Sequence, residues 1–372
     1  MKGRYERGKN QKEISKVVWR ILLGLLLLAA VIAGIVSVDI YRTMLGKINH
    51  VDVPTIVYTS IPEESAIADV TETVSVDVIE TEEITTTTEA HIKSSADYIN
   101  FLVVGQAARE GESERFADTM ILCTVNTYEK KLTMTSLLRD SFVKMPDYKG
   151  HNGGRIKLTT IYHLGSTYGN GIAGSMELMN LTLYKNFGIE VDHNFEIDFD
   201  AFIKVIDMLG GVDIELTQAE ANYLNDDDFW VYYDVEPGLA HLDGMAALCY
   251  ARMRKAEGDG ESDINRTNRQ RKLIESLLNQ LRSKSVSELT EIVNEILPLI
   301  TTSMDNSEIT ECLLTFLPML TELSIENGGT CPVNYHGDMV DIYSNGMYHS
   351  VLRFDEIETK NIMRTITEGE IS

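Results

Sequence analysis

Apolar and polar positions alternate with three different rhythms along the chain, and the rhythm changes mark its parts. Ile21 to Val38 carries no charged residue. At about 1.5 Å per helical residue the run covers about 27 Å, close to the hydrocarbon thickness of a bilayer and longer than the apolar part of a cleaved leader. It predicts a retained transmembrane helix. The preceding segment holds Lys2, Arg4, Arg7, Lys9, Lys12, Lys16 and Arg20 against Glu6 and Glu13. Basic flanks stay on the cytoplasmic side, so everything after Asp39 is expected outside the cell. From Val51 to His91 there are ten acidic residues, no Lys or Arg, and a threonine run at Thr85 to Thr88. Without a sustained period, and with self-repelling charge, this stretch reads as an extended spacer.

Short apolar runs ended by glycine or charge begin near Tyr98. Strands are predicted at Tyr98 to Val104, Thr119 to Val125 and Lys131 to Leu138, the last leading into Arg139-Asp140 and then Ser141-Phe-Val-Lys. Helical spacing follows at Gly171 to Leu183, Asp200 to Leu209 and Gly238 to Cys249, with strands at Asn194 to Ile197 and Val212 to Glu215 between. Arg269 to Leu281 has apolar residues at 273, 274, 277, 278 and 281, a helical stripe. Helices are also expected around Leu289 to Ile300 and Ile309 to Leu323, before a strand-like end. This alternation predicts an α/β fold, a central mixed β-sheet flanked by helices, behind an N-terminal transmembrane helix. The expected parts are a cytoplasmic segment over 1–20, the anchor over 21–40, an acidic stalk over 41–95, the main domain over 96–285 and a C-terminal extension over 286–372.

Composition narrows the function. A formal net charge of −24 excludes an electrostatic nucleic-acid binder, which needs surplus Lys and Arg against a run of phosphates. Against that background, Arg252, Arg254, Lys255, Arg266, Arg269, Arg271 and Lys272 crowd around Asp263. Guanidinium forks grip phosphate oxygens two at a time and stay charged at any working pH, so the cluster points to a bound diphosphate. The other reading of such a run is a solvated helix face. Arg266, Arg269 and Gln270 fall at the start of the expected helix, where a cation opposes the macrodipole unless an anion sits there. The chain has no G-x-S-x-G elbow, no G-x-x-x-x-G-K-[ST] loop and no histidine pair at metal spacing. Serine hydrolase, nucleotide-triphosphate and zinc chemistry are therefore disfavoured. Four cysteines, at 123, 249, 312 and 331, show no C-x-x-C pairing. Cys123 and Cys249 sit in apolar runs, and Cys312 and Cys331 remain open between a disulfide and two free thiols.

Taken in order, several blocks resemble the LytR-CpsA-Psr family of membrane-anchored cell-wall enzymes, from about Tyr98 to Leu281. They are Phe101-Leu-Val-Val-Gly105, Ala117-Asp-Thr-Met120, Ser136-Leu-Leu-Arg-Asp140, Phe199-Asp-Ala-Phe202, Leu209-Gly-Gly-Val-Asp213, Leu242-Asp-Gly-Met-Ala-Ala-Leu-Cys-Tyr-Ala-Arg252-Met-Arg254 and Asp263-Ile-Asn-Arg266-Thr-Asn-Arg269-Gln270. The resemblance implies a phosphotransferase that moves a glycopolymer of teichoic-acid or capsule type from a polyprenyl-pyrophosphate carrier to peptidoglycan, with the polyprenyl tail in an apolar slot and Mg2+ at the diphosphate. It implies that Arg139, Arg252, Arg254, Arg266 and Arg269 clamp the diphosphate; Gln270 is open between that role and a structural one, and Arg155 and Lys157 are added as diphosphate candidates by their charge. Asp118 would hold the metal or take the acceptor proton, and Asp140 and Asp263 would orient arginines. Two departures stand out. Where the family usually has an aspartate after the first strand's glycine, this chain reads Gly105-Gln-Ala-Ala-Arg109, leaving Glu110 or Glu112 as the nearest substitutes; where the family tends to Lys-Ile-Asn, it has Arg155-Ile-Lys157. The first departure makes a binding-only scaffold or sensor the alternative to a transferase.

Overall fold

The computed structural model of the chain describes residues 46, 48–56, 97–106, 115–151, 153–226, 233–254, 263–343 and 346–369. The expected membrane helix at 21–40 lies outside these residues; among those described, no helix is long and apolar enough to cross a membrane.

The predicted strands form the middle of one mixed sheet. Strands β1 (Asn49–His50), β2 (Tyr98–Gln106), β3 (Ala117–Asn126) and β4 (Lys131–Leu137) are followed by β5 (Phe142–Lys144), β6 (Arg155–Lys157) and β7 (His193–Asp198). After β8 (Val212–Leu216) and β9 (Gly238–Leu242) come β10 (Thr301–Thr302), β11 (Ser324–Cys331), β12 (His336–Val340) and β13 (His349–Arg353). The main sheet has seven strands in the order β1-β10-β7-β2-β3-β4-β11; β5 pairs with β6, β8 with β9 and β12 with β13. β2, β3 and β4 are mutually antiparallel, while β7 runs parallel to β2 and β11 parallel to β4.

Period-two alternation sorts each strand's side chains between two cores. Leu102, Val104, Met120 and Leu122 face one layer; their neighbours Phe101, Ile121 and Val125 face the other. The first layer is covered by α1 (Leu158–Tyr168), α2 (Gly171–Phe187) and, through Met363, α9 (Glu356–Glu368). Here the helices α1 and α2 meet through glycines: a Cβ at Gly174 would lie 2.4 Å from the Gly165 carbonyl oxygen. The second layer is covered by α8 (Asn306–Met319) and by Ile274 and Leu278 of α6 (Asp263–Arg282). A third cluster joins the β8–β9 hairpin to α3 (Phe199–Met208), α4 (Gln218–Leu224), α5 (Gly244–Arg252) and α6. The remaining helix is α7 (Val286–Ile296).

The structure corrects the sequence reading in four places. Residues 48–56, assigned above to the stalk, lie on the domain: β1 pairs with β10, the Val51 amide donates to the Thr302 carbonyl at 2.8 Å, and Ile48, Val51 and Val53 pack into the core. Gly238 to Cys249 is a strand and then a helix, broken where the Asp243 side chain caps the Ala246 amide; a capping aspartate in an apolar run resets the period. Helix α6 starts at Asp263 rather than Arg269, so Arg266 lies in its first turn and Arg269 in its second. Helix α1 is an element the apolar pattern did not reveal. Cys312 and Cys331 are free thiols, as are Cys123 and Cys249.

The glycine contact yields a direct test. Gly174→Ala forces backbone apart at the α1–α2 crossing and is expected to lower stability by about 1–3 kcal/mol. Urea unfolding of the full chain reads it as a lower midpoint at unchanged slope; an unshifted midpoint shows that the crossing tolerates a methyl group.

Candidate functional site

Antiparallel pairing of β3 with β4, Ile121 opposite Ser136, carries the start of one strand alongside the end of the other. Asp118 and Arg139, each beyond the last paired residue, thereby meet, and Arg139 Nη1 donates to Asp118 Oδ1 at 2.7 Å. The next residue, Asp140, lies 3.6 Å from Arg139 Nε through Oδ2 and accepts from Lys157 Nζ at 2.7 Å through Oδ1. Lys157 is brought there by the β5–β6 pair, in which it stands opposite Phe142. The result is a row of alternating charge, Lys157–Asp140–Arg139–Asp118, with side chains 16% to 33% exposed. Arg266, only 4% exposed, closes it from α6, donating through Nη2 to the Asp118 carbonyl at 3.2 Å. Gln270, one turn further along, donates to Thr119 Oγ1 at 2.8 Å and to the Ala251 carbonyl at 3.3 Å. That second bond ties the end of α5 to the site. Arg252 and Arg254 follow there, both exposed, with the Arg252 guanidinium 4.7 Å over the Phe199 ring.

Lys157 is also the N-cap of α1, which has no side-chain cap and no acid in its first turn. An ammonium at the positive end of a helix is unfavourable by about 0.3–1 kcal/mol unless an anion joins it. Asp140 is that anion here.

Two residues expected in the clamp are elsewhere. Arg269 turns into the domain, where its Nε donates to Glu220 Oε1 at 2.7 Å and its Nη1 to the Met253 carbonyl at 3.1 Å, in a pair 3% and 4% exposed. Glu220 also completes a capping box with Thr217 at the start of α4. Burial pushes its carboxyl up, but the Thr217 amide and the Arg269 guanidinium outweigh that and hold it below the ordinary carboxylate range. Arg155 faces outward, pairing with Glu356 and donating to the Phe142 carbonyl at 3.1 Å. Its partners are consumed far from Asp118, which a three-residue motif could not reveal. Asp263 is the first residue of α6. Arg271, part of the same basic run, is buried, donating to Ser136 Oγ and, at 2.8 Å, to the Gly329 carbonyl; burial lowers its pKa.

A second polar group went unread in the sequence. Arg115 Nη1 donates to Glu196 Oε1 at 2.9 Å and to Gln106 Oε1 at 3.1 Å, and the buried Tyr162 hydroxyl donates to Glu196 Oε2 at 2.5 Å. Burial raises the Glu196 carboxyl above its ordinary range, against the pull of Tyr162 and Arg115. The signal was available: Asn194 and Glu196 occupy the inward positions of β7, where a period-two strand ordinarily carries apolar residues. Register places Gln106 opposite Ala117, so this group borders Asp118 at the same end of the sheet.

Among the described residues the donor set does not fit a resident magnesium ion. Mg2+ needs near-octahedral oxygen ligands, usually one or two carboxylates with waters and phosphates. Among the described residues no group of three or more His, Cys, Asp or Glu is placed to hold a metal. Asp118 and Asp140 are each already bonded to a cation. Among the described residues, the Gln106 amide nitrogen is a buried atom with no hydrogen-bond partner beside the site, and it is a donor, where a metal would ask for an acceptor. Glu110 and Glu112 lie outside the described residues.

The LytR_cpsA_psr family model matches residues 65–361. The polyisoprenyl-teichoic acid–peptidoglycan teichoic acid transferase TagU of Oceanobacillus iheyensis is 27% identical over 266 residues, 71% of this chain and 74% of that protein. TagU of Bacillus subtilis is 29% identical over 196 residues, 52% of this chain and 55% of its own length, so the chain spans about half of that relative. The solved structure of the family protein YwtF (TagT) with bound octaprenyl pyrophosphate lipid superposes with a TM-score of 0.51 at 21% identity, covering 74% of this chain and 92% of the other. That likeness establishes the α/β fold.

The Glu220–Arg269 pair gives a test that separates scaffold from site. Glu220→Gln strands a buried guanidinium and is expected to cost about 3–5 kcal/mol of stability. A carboxylate held below its unfolded pKa stabilises above the ordinary carboxylate range and loses that contribution as pH falls through its depressed value. The acid limb of the stability curve, followed by chemical denaturation at stepped pH, should therefore flatten in the variant; an unchanged limb refutes this account.

Proposed function

The chain belongs to the LytR_cpsA_psr family, and from that premise we propose that it transfers a glycopolymer of teichoic-acid or capsule type from a polyprenyl diphosphate carrier to peptidoglycan. The support is twofold: relatives named as teichoic acid transferases, and one observation of this chain, the convergence of Arg139, Lys157 and Arg266 on the strand-end carboxylates Asp118 and Asp140 and the Asp118 backbone.

Phosphoryl transfer asks a protein mainly to position its substrate and to stabilise spreading charge. In this reading Arg139 and Arg266 take the non-bridging oxygens of the diphosphate, with Arg252 and Arg254 on the rim. An acceptor hydroxyl of peptidoglycan attacks the phosphorus that bears the glycan, and the bond to the bridging oxygen breaks. Polyprenyl phosphate leaves with that oxygen. The hydroxyl proton passes to Asp118, whose Oδ1 is fixed by Arg139. Asp140 holds Arg139 and Lys157 in place. The tail would follow the apolar layer that begins beside Lys157, where Ile156, Leu164, Tyr168 and Ile172 are partly buried. A lipid carrier suits a membrane-anchored protein, with residues 21–40 as the span and the domain on the outer side.

The full chain in detergent, given a polyprenyl-diphosphoryl oligosaccharide and a peptidoglycan oligomer, should release polyprenyl phosphate and form linked product. Arg139→Ala and Arg266→Ala are expected to lose substrate binding by about 2–5 kcal/mol. Asp118→Ala should bind substrate nearly as the parent does but turn over about 10²–10⁴-fold more slowly. Tight binding with no product from the parent chain would mark a scaffold and overturn the transferase.

A further inference from the structure

We propose that Lys157 and Arg139 supply, as charges fixed on the chain itself, the neutralisation that a diphosphate requires, so that this site takes its ligand without a divalent cation. The inference rests on the function proposed above and goes further, naming how the ligand's charge is met.

The first ground is the arithmetic of charge at the cleft. Three cations, Lys157, Arg139 and Arg266, meet two carboxylates, Asp118 and Asp140. Each carboxylate already accepts from one of the cations, so the described residues present a surplus of donors. An entering magnesium ion would sit beside Arg139 and Lys157, the cations that already hold Asp118 and Asp140, and would be repelled by both. An entering diphosphate instead brings acceptors to a place where the cations outnumber the carboxylates.

The second ground is where Lys157 stands. It precedes the first turn of α1, whose opening amides at Leu158 and Thr159 donate to the Ser141 and Arg139 carbonyls at 2.9 Å each. These bonds fix the helix start against the segment that carries Arg139 and Asp140. The positive end of α1 and the ammonium thus point their fields at the same cleft, and both favour an anion over a metal. Asp140 holds the two cations as a shared carboxylate, 2.7 Å from Lys157 Nζ and 3.6 Å from Arg139 Nε. Their separation is accordingly set before ligand arrives, and little ordering remains to be done when a phosphate oxygen binds.

Isothermal titration of the full chain in detergent with farnesyl diphosphate, once with magnesium and once with EDTA, tests this. The parent chain's affinity is expected to differ between the two buffers by less than about threefold. Lys157→Ala should weaken binding in EDTA by about tenfold or more, and Lys157→Arg, which restores the charge, should recover most of the loss. Lys157→Gln serves as a second neutral variant, and the unfolding midpoint of each variant checks that it is folded. Two results overturn the inference while leaving the transferase standing: binding by the parent that collapses in EDTA, and Lys157→Ala binding as tightly as the parent. Absence of binding in both buffers overturns the transferase reading along with it.

Discussion

Opposed strand directions bring a carboxylate and a guanidinium 21 positions apart in sequence into a 2.7 Å hydrogen bond, and the site is assembled around that contact. It depends on register. A slip of one residue between β3 and β4 would turn Met120 and Leu122 out of the core as well as separating Asp118 from Arg139, so the packing of the apolar layers enforces the polar geometry. The sheet's two covered faces therefore do more than stabilise the domain. They hold the strand ends, where backbone pairing stops, at a fixed spacing, and Lys157 and Arg266 are added to that edge from elements that pack on opposite layers.

Within the basic run, physical context divides residues of the same type. Arg269 and Arg271 are buried against Glu220, Ser136 and backbone carbonyls, where a guanidinium satisfies several acceptors at once and keeps the domain's interior polar contacts closed. Arg266, also largely buried, donates to the Asp118 carbonyl, and Arg252 and Arg254 are exposed at the end of α5 and just beyond it. Helical geometry explains the split: Arg266 and Gln270 are four apart and share a face of α6, while Arg269 and Arg271 lie roughly 60–140° away from them, on either side. The acidic character of the chain as a whole, −24 formally, makes the local surplus of donors stand out against its surroundings.

How much of this could be read beforehand follows from which interactions are local. The strands from Tyr98 to Leu137 and the helix starting at Gly171 were legible because their apolar period is uninterrupted. The α1 helix was not: Leu158-Thr-Thr-Ile-Tyr-His-Leu has β-branched residues and polar positions in proportions that a strand also shows. The Gly238 to Cys249 run looked continuous because its break is made by a capping side chain rather than by glycine alone. At the site, Asp118, Arg139, Arg266 and Gln270 were identified by motif and do converge. Arg269 and Arg155 were not separable from them, since partners such as Glu220 and Glu356 are 49 and 201 positions away. Arg115, Glu196 and Tyr162 escaped for the same reason.

The short β1 strand changes what the segment before the domain can do mechanically. If Ile21 to Val38 spans the bilayer, only the residues from Asp39 to Ile48 separate it from a strand hydrogen-bonded to the sheet, a leash of about 33–36 Å at full extension. On that condition the leash, and not the acidic stretch that follows β1, sets the upper limit to how far Arg139 can stand from the lipid surface.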